Sequence, residues 1–441
     1  MAAPFVGVFF ICQTDTTKNM SVTLSGLLFM LGYAAIALEH KLLLSKAALA
    51  LLLGSTLWII AALAGHGDVL TGLTHAASDV FAIVIFLLAA MSLVEVLAHY
   101  RFFDVIRGKL DALRLDDARQ FLAIALLTFV LSAFLDNLTT TIVMIQIARK
   151  FFKGENLLYV VAGIIIAANA GGAFSPIGDV TTIMLWFAKK FTSLEIIVKG
   201  FLPALALWIV STVLLWRNIT QSTRDDTNEV ITHLSPSEKT IIGLVLVAFM
   251  LPVVMNVIGL PPYLGLLIGL GMVWFAVDAC KRLYSHQTHL TASIDDMVKK
   301  VDIPSLQFFI GILFAVAALH QIGVLDWMTD VIYGHTPSAR TVIVGNIGLG
   351  LLSAVFDNVP LTAMAVQILP VSDPSLWVLL ALTVGTGGSL FVIGSAAGVV
   401  AMGMVRELNF AKYFKIAFIP ATLGYAAAIS VWSVQYFVLG F

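Results

Sequence analysis

The sequence predicts an all-α polytopic membrane protein built from inverted structural repeats, with two opposed re-entrant hairpins and two broken transmembrane helices. Three observations predict this class. Of 441 residues, 60% are apolar or aromatic and only 12% are charged, against roughly a quarter in a soluble domain. Two Asp-Asn pairs, Asp136-Asn137 and Asp357-Asn358, lie 221 residues apart in matching stretches. Two glycine-rich interruptions, at Gly171-Gly172 and Gly387-Gly388, lie 216 residues apart. A net charge of −1 excludes a strongly basic nucleic-acid binder and an acidic disordered chain. A soluble enzyme of this length would need far more polar surface. Cys12 and Cys280 are too far apart to suggest a disulfide framework or a metal knuckle.

A spanning helix needs about 20 mostly apolar residues. Ser21–Leu38, Leu42–Ala64 and Val80–Ala98 meet that need. The polar stretch Arg101–Arg119 follows, then the short apolar arms Phe121–Phe134 and Leu138–Ala148, the glycine-interrupted segment around Ala170–Gly178, and Phe201–Trp216. Arg217–Lys239 is hydrophilic and reads as a linker. Beyond it lie Ile241–Ile258, Tyr263–Val277, Ser305–Leu319 and Thr341–Phe356, the short arm Leu361–Leu369, the interrupted Leu376–Val405 and the final Tyr413–Leu439. Pro4–Cys12 is too short to span and lacks the basic flank of a signal peptide. The domains expected are residues 1–216, a cytoplasmic linker at 217–240, and 241–441.

Basic loops stay inside. Arg101–Arg119, the linker and Lys281–Lys300 should therefore be cytoplasmic, and Gly65–Asp79 should be an external loop. Lys189, Lys190 and Lys199 fall outside in this scheme and count against the orientation. The arms around Asp136-Asn137 have basic residues before and after them, so both ends face the cytoplasm and the pair forms a re-entrant hairpin. The arms around Asp357-Asn358 should enter from the opposite side. The two hairpins align without a gap from Leu131 to Ile147 on Leu352 to Ile368, with 8 of 17 positions identical, Ser, Asp, Asn, Thr and Gln among them. Each half repeats three spans, a hairpin, a broken helix and a final span, an odd number of crossings, so the second copy is inverted. Inverted repeats with interrupted helices point to a secondary transporter with a site near the membrane midplane. A broken helix strands backbone groups in lipid unless something binds them.

Few acids lie within the apolar spans: Glu95, Asp136, Asp179 and Asp357. Each is a functional candidate because charge at membrane depth is costly. Asp136 and Asp357 sit at equivalent hairpin tips. Asp179 follows Ser175-Pro176-Ile177-Gly178 in the first break, and its counterpart in the second is Ser395. Oxygen-bearing side chains surround them: Asn137, Thr140, Asn169, Ser175, Thr181, Thr182, Asn358, Ser389 and Ser395. No Lys or Arg in the spans can neutralise the acids, so a cation or a proton must; Asp136 and Asp179 are the expected Na⁺ ligands. The acids could instead be helix caps. Ser132 and Ser353, four residues before each tip Asp, could bond back to their own helices. Glu95 and His99 form either an interfacial pair or a proton-entry and pH-response site. His320 reads as interfacial.

Phe134-Leu-Asp-Asn-Leu-Thr-Thr-Thr, Ala168-Asn-Ala-Gly-Gly-Ala-Phe-Ser-Pro-Ile-Gly-Asp-Val-Thr-Thr, Phe356-Asp-Asn-Val-Pro and Gly385-Thr-Gly-Gly-Ser through Ile393-Gly-Ser-Ala-Ala-Gly together resemble the NhaD-type sodium/proton antiporters of the ion transporter superfamily. The resemblance spans nearly the whole chain. It implies exchange of Na⁺ or Li⁺ for H⁺ across a bacterial inner membrane, a fold of inverted repeats and a homodimer. It carries the family's polar positions to Asp136, Asn137, Asn169, Asp179, Thr181, Thr182, Asp357, Asn358, Ser389 and Ser395. His320 departs from the residue type expected there. The expected mechanism is competition of cation and protons for buried aspartates, without a cofactor and without enzyme chemistry. The rival reading is a Na⁺-coupled carboxylate symporter or an arsenite-type permease on the same scaffold, although bare aspartates at the tips suit an anion poorly. An intramembrane aspartyl protease is disfavoured, because Pro176-Ile177-Gly178 lacks the first glycine of a Gly-x-Gly-Asp motif.

Overall fold

In lipid every backbone N–H and C=O must find a partner within the chain, which leaves helix as the default for long apolar stretches. Residues 20–36, 42, 44–221, 233–334, 338–369, 371–392 and 394–440 are described by a computed structural model, and among them the chain is helical with no strand. Pro4–Cys12 and linker residues 222–232 lie outside the described residues.

The first helices are α1 (Met20–Ile36), α2 (Lys46–Leu63), α3 (Val69–His99) and α4 (Phe102–Ala112). Next come α5 (Asp117–Ser132), α6 (Asn137–Phe151), α7 (Gly154–Ala173), α8 (Val180–Phe187) and α9 (Ser193–Trp216). After the linker follow α10 (Pro236–Ala248), α11 (Leu251–Val257), α12 (Pro262–Leu283), α13 (Gln287–Thr291) and α14 (Ile294–Val298). The chain ends with α15 (Ile303–Ile322), α16 (Val324–Tyr333), α17 (Ala339–Leu352), α18 (Asn358–Ile368), α19 (Pro374–Gly387), α20 (Ala396–Met404) and α21 (Phe410–Phe437). Among the described residues, eight segments are long and apolar enough to cross a membrane: α2, α3, α7, α9, Pro236–Val257, α12, α15 and α21. The chain, all-helical among its described residues, is a multi-pass membrane protein.

Two expectations need correction. Gly65–Asp79 is not a loop throughout, because α3 already starts at Val69. Asp68 starts it early: its carboxylate accepts the Thr71 N–H at 3.2 Å and the Thr71 hydroxyl at 2.6 Å, the capping chemistry that favours Asp before a helix. Ile241–Ile258 is not one helix either. It breaks at Phe249-Met250, and Pro252, which has no N–H to donate, sits in the first turn of α11.

The chain forms two compact units, residues 1–85, 302–341 and 363–370, and residues 86–301, 342–362 and 371–441. Each draws on both halves of the sequence, so packing and sequence repeat divide the chain differently. In the first unit α2 and α15 meet backbone to backbone: a Cβ on Gly54 would strike the Gly311 carbonyl, and one on Gly311 the Ala50 backbone. Small residues permit such approach where lipid supplies no hydrophobic drive between helices.

In the second unit α7 is buried along most of its length. The Trp208 indole of α9 donates to the Ala125 carbonyl of α5 at 3.2 Å, and Ser211 donates to Pro420 of α21 at 2.9 Å. One stretch of α21 supplies aromatic donors to the end of the chain before it. Trp432 donates to the Ser375 carbonyl at 3.1 Å and Tyr436 to the Asp373 carboxylate at 3.1 Å, both at the start of α19. The hairpins α5–α6 and α17–α18 turn at Ala133–Asp136 and Ser353–Asp357, and the pairs α7–α8 and α19–α20 are interrupted at Phe174–Asp179 and Gly388–Ser395.

Candidate functional site

The two breaks and the two hairpins meet through contacts that recur at the sequence offsets. A Cβ on Gly171 would meet the Phe129 carbonyl, and one on Gly387 the Gly350 carbonyl. Gly178 lies against the Ser132 carbonyl as Gly394 lies against that of Ser353. Ser132 donates to the Ala168 carbonyl at 2.6 Å, and Ser353 to the Val384 carbonyl at 2.7 Å. These serines therefore do not bond back to their own helices. Each reaches across to the half-helix that carries the following break, which glycine alone allows to come so close.

Asp179 stands at the centre, 1% exposed. It caps α8, accepting the Thr181 N–H at 3.1 Å. The Asn137 amide donates to its Oδ2 at 3.0 Å, and the Asn358 amide approaches its Oδ1 at 3.5 Å. One buried carboxylate is thus held by the asparagines of both Asp-Asn tips. Asn137 also donates to Asn169 Oδ1 at 3.1 Å, and Asn169 in turn donates to the Ser389 hydroxyl at 2.8 Å and the Ser395 hydroxyl at 3.3 Å. Ser395 caps α20 through the Gly398 N–H. All these donors are neutral, so none cancels the charge of Asp179.

The tip aspartates are placed differently. Asp136 caps α6, accepting the Thr139 N–H at 2.8 Å and its hydroxyl at 2.6 Å. It is half-buried and borders a small cavity with the apolar side chains of Phe86, Val94, Phe134 and Ile183. Asp357 accepts the Val359 N–H at 3.0 Å. Capping is thus part of what all three aspartates do.

Of the other expected residues, Thr181 and Thr140 bury their hydroxyls without a partner, as does Thr141, which follows Thr140 after the first tip. A buried hydroxyl such as that of Thr181, which lies with Asp179 Oδ2 around Gly385, is a donor that a hard cation can satisfy. The hydroxyl of Thr182 is turned to the Asp179 carbonyl at 2.8 Å, and that of Ser175 donates to the Ala133 carbonyl, so both fix the break. Gly385 heads one of the motifs quoted above but is not among the expected site residues. A Cβ there would lie 3.3 Å from Thr181 Oγ1 and 3.5 Å from Asp179 Oδ2. Its alignment with Asn169 in the repeat was the available signal. Glu95 and His99 are not brought to this network. His99 is not paired with Glu95 either, since its Nε2 contacts the Thr288 carbonyl at 3.1 Å. His320 is exposed.

A family model described as citrate transporter matches residues 33–385. "Sodium/proton antiporter 1" of Arabidopsis thaliana is 33% identical over 443 residues, which cover 98% of this chain and 75% of that protein. "Sodium/proton antiporter 2" of the same plant is 34% identical over 421 residues, 92% of this chain and 98% of that protein. "Na(+)/H(+) antiporter NhaD" of Vibrio cholerae is 30% identical over 443 residues, 91% of this chain and 89% of that protein.

Proposed function

This chain belongs to the NhaD-type sodium/proton antiporters, and on that footing we propose that it exchanges Na⁺ or Li⁺ for H⁺ across the membrane at one buried site centred on Asp179. The observation that carries the proposal is the grip on Asp179: a carboxylate 1% exposed, bonded to neutral amides from both tips. A buried carboxylate without a fixed counter-charge is stable only when it holds a proton or a cation. The two compete, so binding one expels the other, and competition at a site open to alternate sides is antiport. Asp136 and Asp357 add negative charge from the tips. The oxygens of Thr140 and Thr181 are the further ligands, and Asn169, Ser389 and Ser395 hold the amide of Asn137 in place.

The architecture that goes with this reading is a pair of inverted repeats whose hairpins enter from opposite sides. The glycine and serine contacts that recur at the two offsets support it. The chain acts as a carrier rather than an enzyme, as a homodimer, and without a cofactor. A bacterial inner membrane is its proposed location, supported by the bacterial relatives, with plant proteins matching as well.

The test uses everted membrane vesicles and a pH-sensitive dye. Na⁺ and Li⁺ should each dequench the dye with the wild type, and Asp179→Asn should abolish the signal at unchanged protein level. Asp136→Asn should weaken or abolish it. Normal exchange in both variants would sink the site. The description of the matching family model favours one second reading, carboxylate symport. Na⁺-driven uptake of labelled citrate or succinate by proteoliposomes, without Na⁺/H⁺ exchange, would establish that reading instead.

A further inference from the structure

We infer that Tyr413 is a positioning residue for cation exchange: from α21 it latches the second break, so that Ser389 presents its hydroxyl to the asparagine network around Asp179. The inference rests on the exchange reading given above. Its starting point is an asymmetry between the two breaks. In the first, the Ser175 hydroxyl ties the break to the Ala133 carbonyl of the preceding hairpin. At the offset of the repeat, Ser175 corresponds to Phe391, which has no hydrogen-bonding group. Phe391 instead stacks on Phe418 of α21, ring centroids 5.8 Å apart and planes 14° from parallel. The second break has therefore exchanged a polar tie to its hairpin for an apolar seat on α21.

Its polar tie comes from elsewhere. Tyr413, fully buried in the first turn of α21, donates its hydroxyl to the Ser389 carbonyl at 2.7 Å. That carbonyl lies just beyond the end of α19, where an interrupted helix leaves acceptors without intrahelical donors. With its carbonyl engaged by Tyr413, Ser389 keeps one polar group for the site, its hydroxyl, which accepts from Asn169 at 2.8 Å. Asn169 accepts from Asn137, and Asn137 donates to Asp179. A continuous chain of bonds, Tyr413 to Ser389 to Asn169 to Asn137 to Asp179, thus begins at a residue that touches neither the carboxylate nor the tips. Nothing in the repeat marks Tyr413, since the first break uses a serine for the same purpose.

The chain sets the test. Tyr413→Phe keeps the ring and the aromatic seat and removes only the latch. In everted vesicles its half-saturation concentration for Na⁺ should rise about ten-fold, the effect of one lost hydrogen bond, while the maximal dequenching stays near that of the wild type. Tyr425→Phe is the comparison on the same helix, because its hydroxyl contacts the Ile347 carbonyl at 3.4 Å rather than the Ser389 carbonyl; it should leave the half-saturation unchanged. In a Ser389→Ala background Tyr413→Phe should add nothing further, since the latch acts through that hydroxyl. Four results would overturn the inference: an unaltered half-saturation in Tyr413→Phe, an equal rise in Tyr425→Phe, full additivity with Ser389→Ala, or loss of the folded protein in Tyr413→Phe, which would make the hydroxyl a determinant of the fold. A wild type without Na⁺-induced dequenching fails the exchange reading itself. A wild type that exchanges beside an unaltered Tyr413→Phe fails this inference alone.

Discussion

Asn137 and Asp179, 42 residues apart in sequence, are joined by an amide-to-carboxylate hydrogen bond of 3.0 Å inside the protein. The same amide nitrogen bonds Asn169, so Asn137 fixes the direction of the carboxylate as well as partnering it. A hydrogen bond to a charged group contributes about 1.5–3 kcal/mol. Asn137→Ala should therefore raise the half-saturation concentration for Na⁺ about ten-fold or more in vesicle assays. Asn358→Ala, whose amide stands 3.5 Å from the other oxygen, should have the smaller effect. The reverse ranking would mean that the second tip dominates the site.

The repeated glycines make a prediction about folding. A Cβ on Gly171 or Gly387 would drive into a backbone carbonyl of the preceding hairpin, whereas one on Gly243 would meet nothing within 4 Å. Overpacking of this kind costs typically about 1–3 kcal/mol. An exposed helical Gly→Ala change gains about 0.5–1 kcal/mol from backbone entropy. Gly171→Ala and Gly387→Ala should lower the melting temperature of the detergent-solubilised protein, and Gly243→Ala should hold or raise it. Equal melting of all three would show that the hairpins do not seat on these glycines.

A second polar cluster predicts acid sensitivity. His289, fully buried, has Tyr100 Oη 3.2 Å from its Nδ1 and Ser237 Oγ 2.8 Å from its Nε2. Burial holds its pKa below the usual histidine value; the adjacent His286 and His99 push the same way and Glu238 opposes them. A histidine kept neutral in the fold takes up its proton more readily when unfolded. Its effect on stability is absent above the unfolded pKa of about 6.5 and grows as pH falls below it. The melting temperature should drop between about pH 7 and pH 5.5, and less steeply in His289→Gln than in the wild type. A drop of equal slope in both would assign the acid sensitivity to other groups.

How much of this was legible follows from the kind of signal each feature leaves. The breaks could be read because glycines interrupt apolar runs, and the acids because charge at membrane depth has few innocent explanations. The equivalence of Ser132 and Ser353 was visible in the alignment, but their acceptors were not. Serine bonds its own helix as readily as a neighbour, and only the approach allowed by Gly178 and Gly394 decides between the two. The start of α3 at Val69 is hard to see in the sequence because a stretch without basic residues reads as a loop, although Asp68 is a good cap. Contacts such as Asn137 with Asp179 depend on tertiary placement. Tyr413 left no mark at all, because the repeat that reveals the other residues is broken at the point where it acts.

That broken symmetry extends to Gly385, which occupies the position that Asn169 holds in the first repeat. Asn169 reaches into the network, while Gly385 leaves room beside Thr181 and Asp179. A methyl group at Gly385 would lie 3.3 Å from Thr181 Oγ1 and 3.5 Å from Asp179 Oδ2, close enough to displace the hydroxyl without breaking the backbone. In a site formed by that hydroxyl and that carboxylate, the lost space penalises the larger ion more than the smaller. Gly385→Ala should therefore weaken Na⁺ exchange several-fold while affecting Li⁺ exchange less, lowering the preference for Na⁺ over Li⁺ measured by dye dequenching at one pH. A change of the same size for both ions would place the cation away from Gly385. An unchanged profile for both would remove Thr181 from its ligands, because its hydroxyl is the atom nearest to the added methyl group.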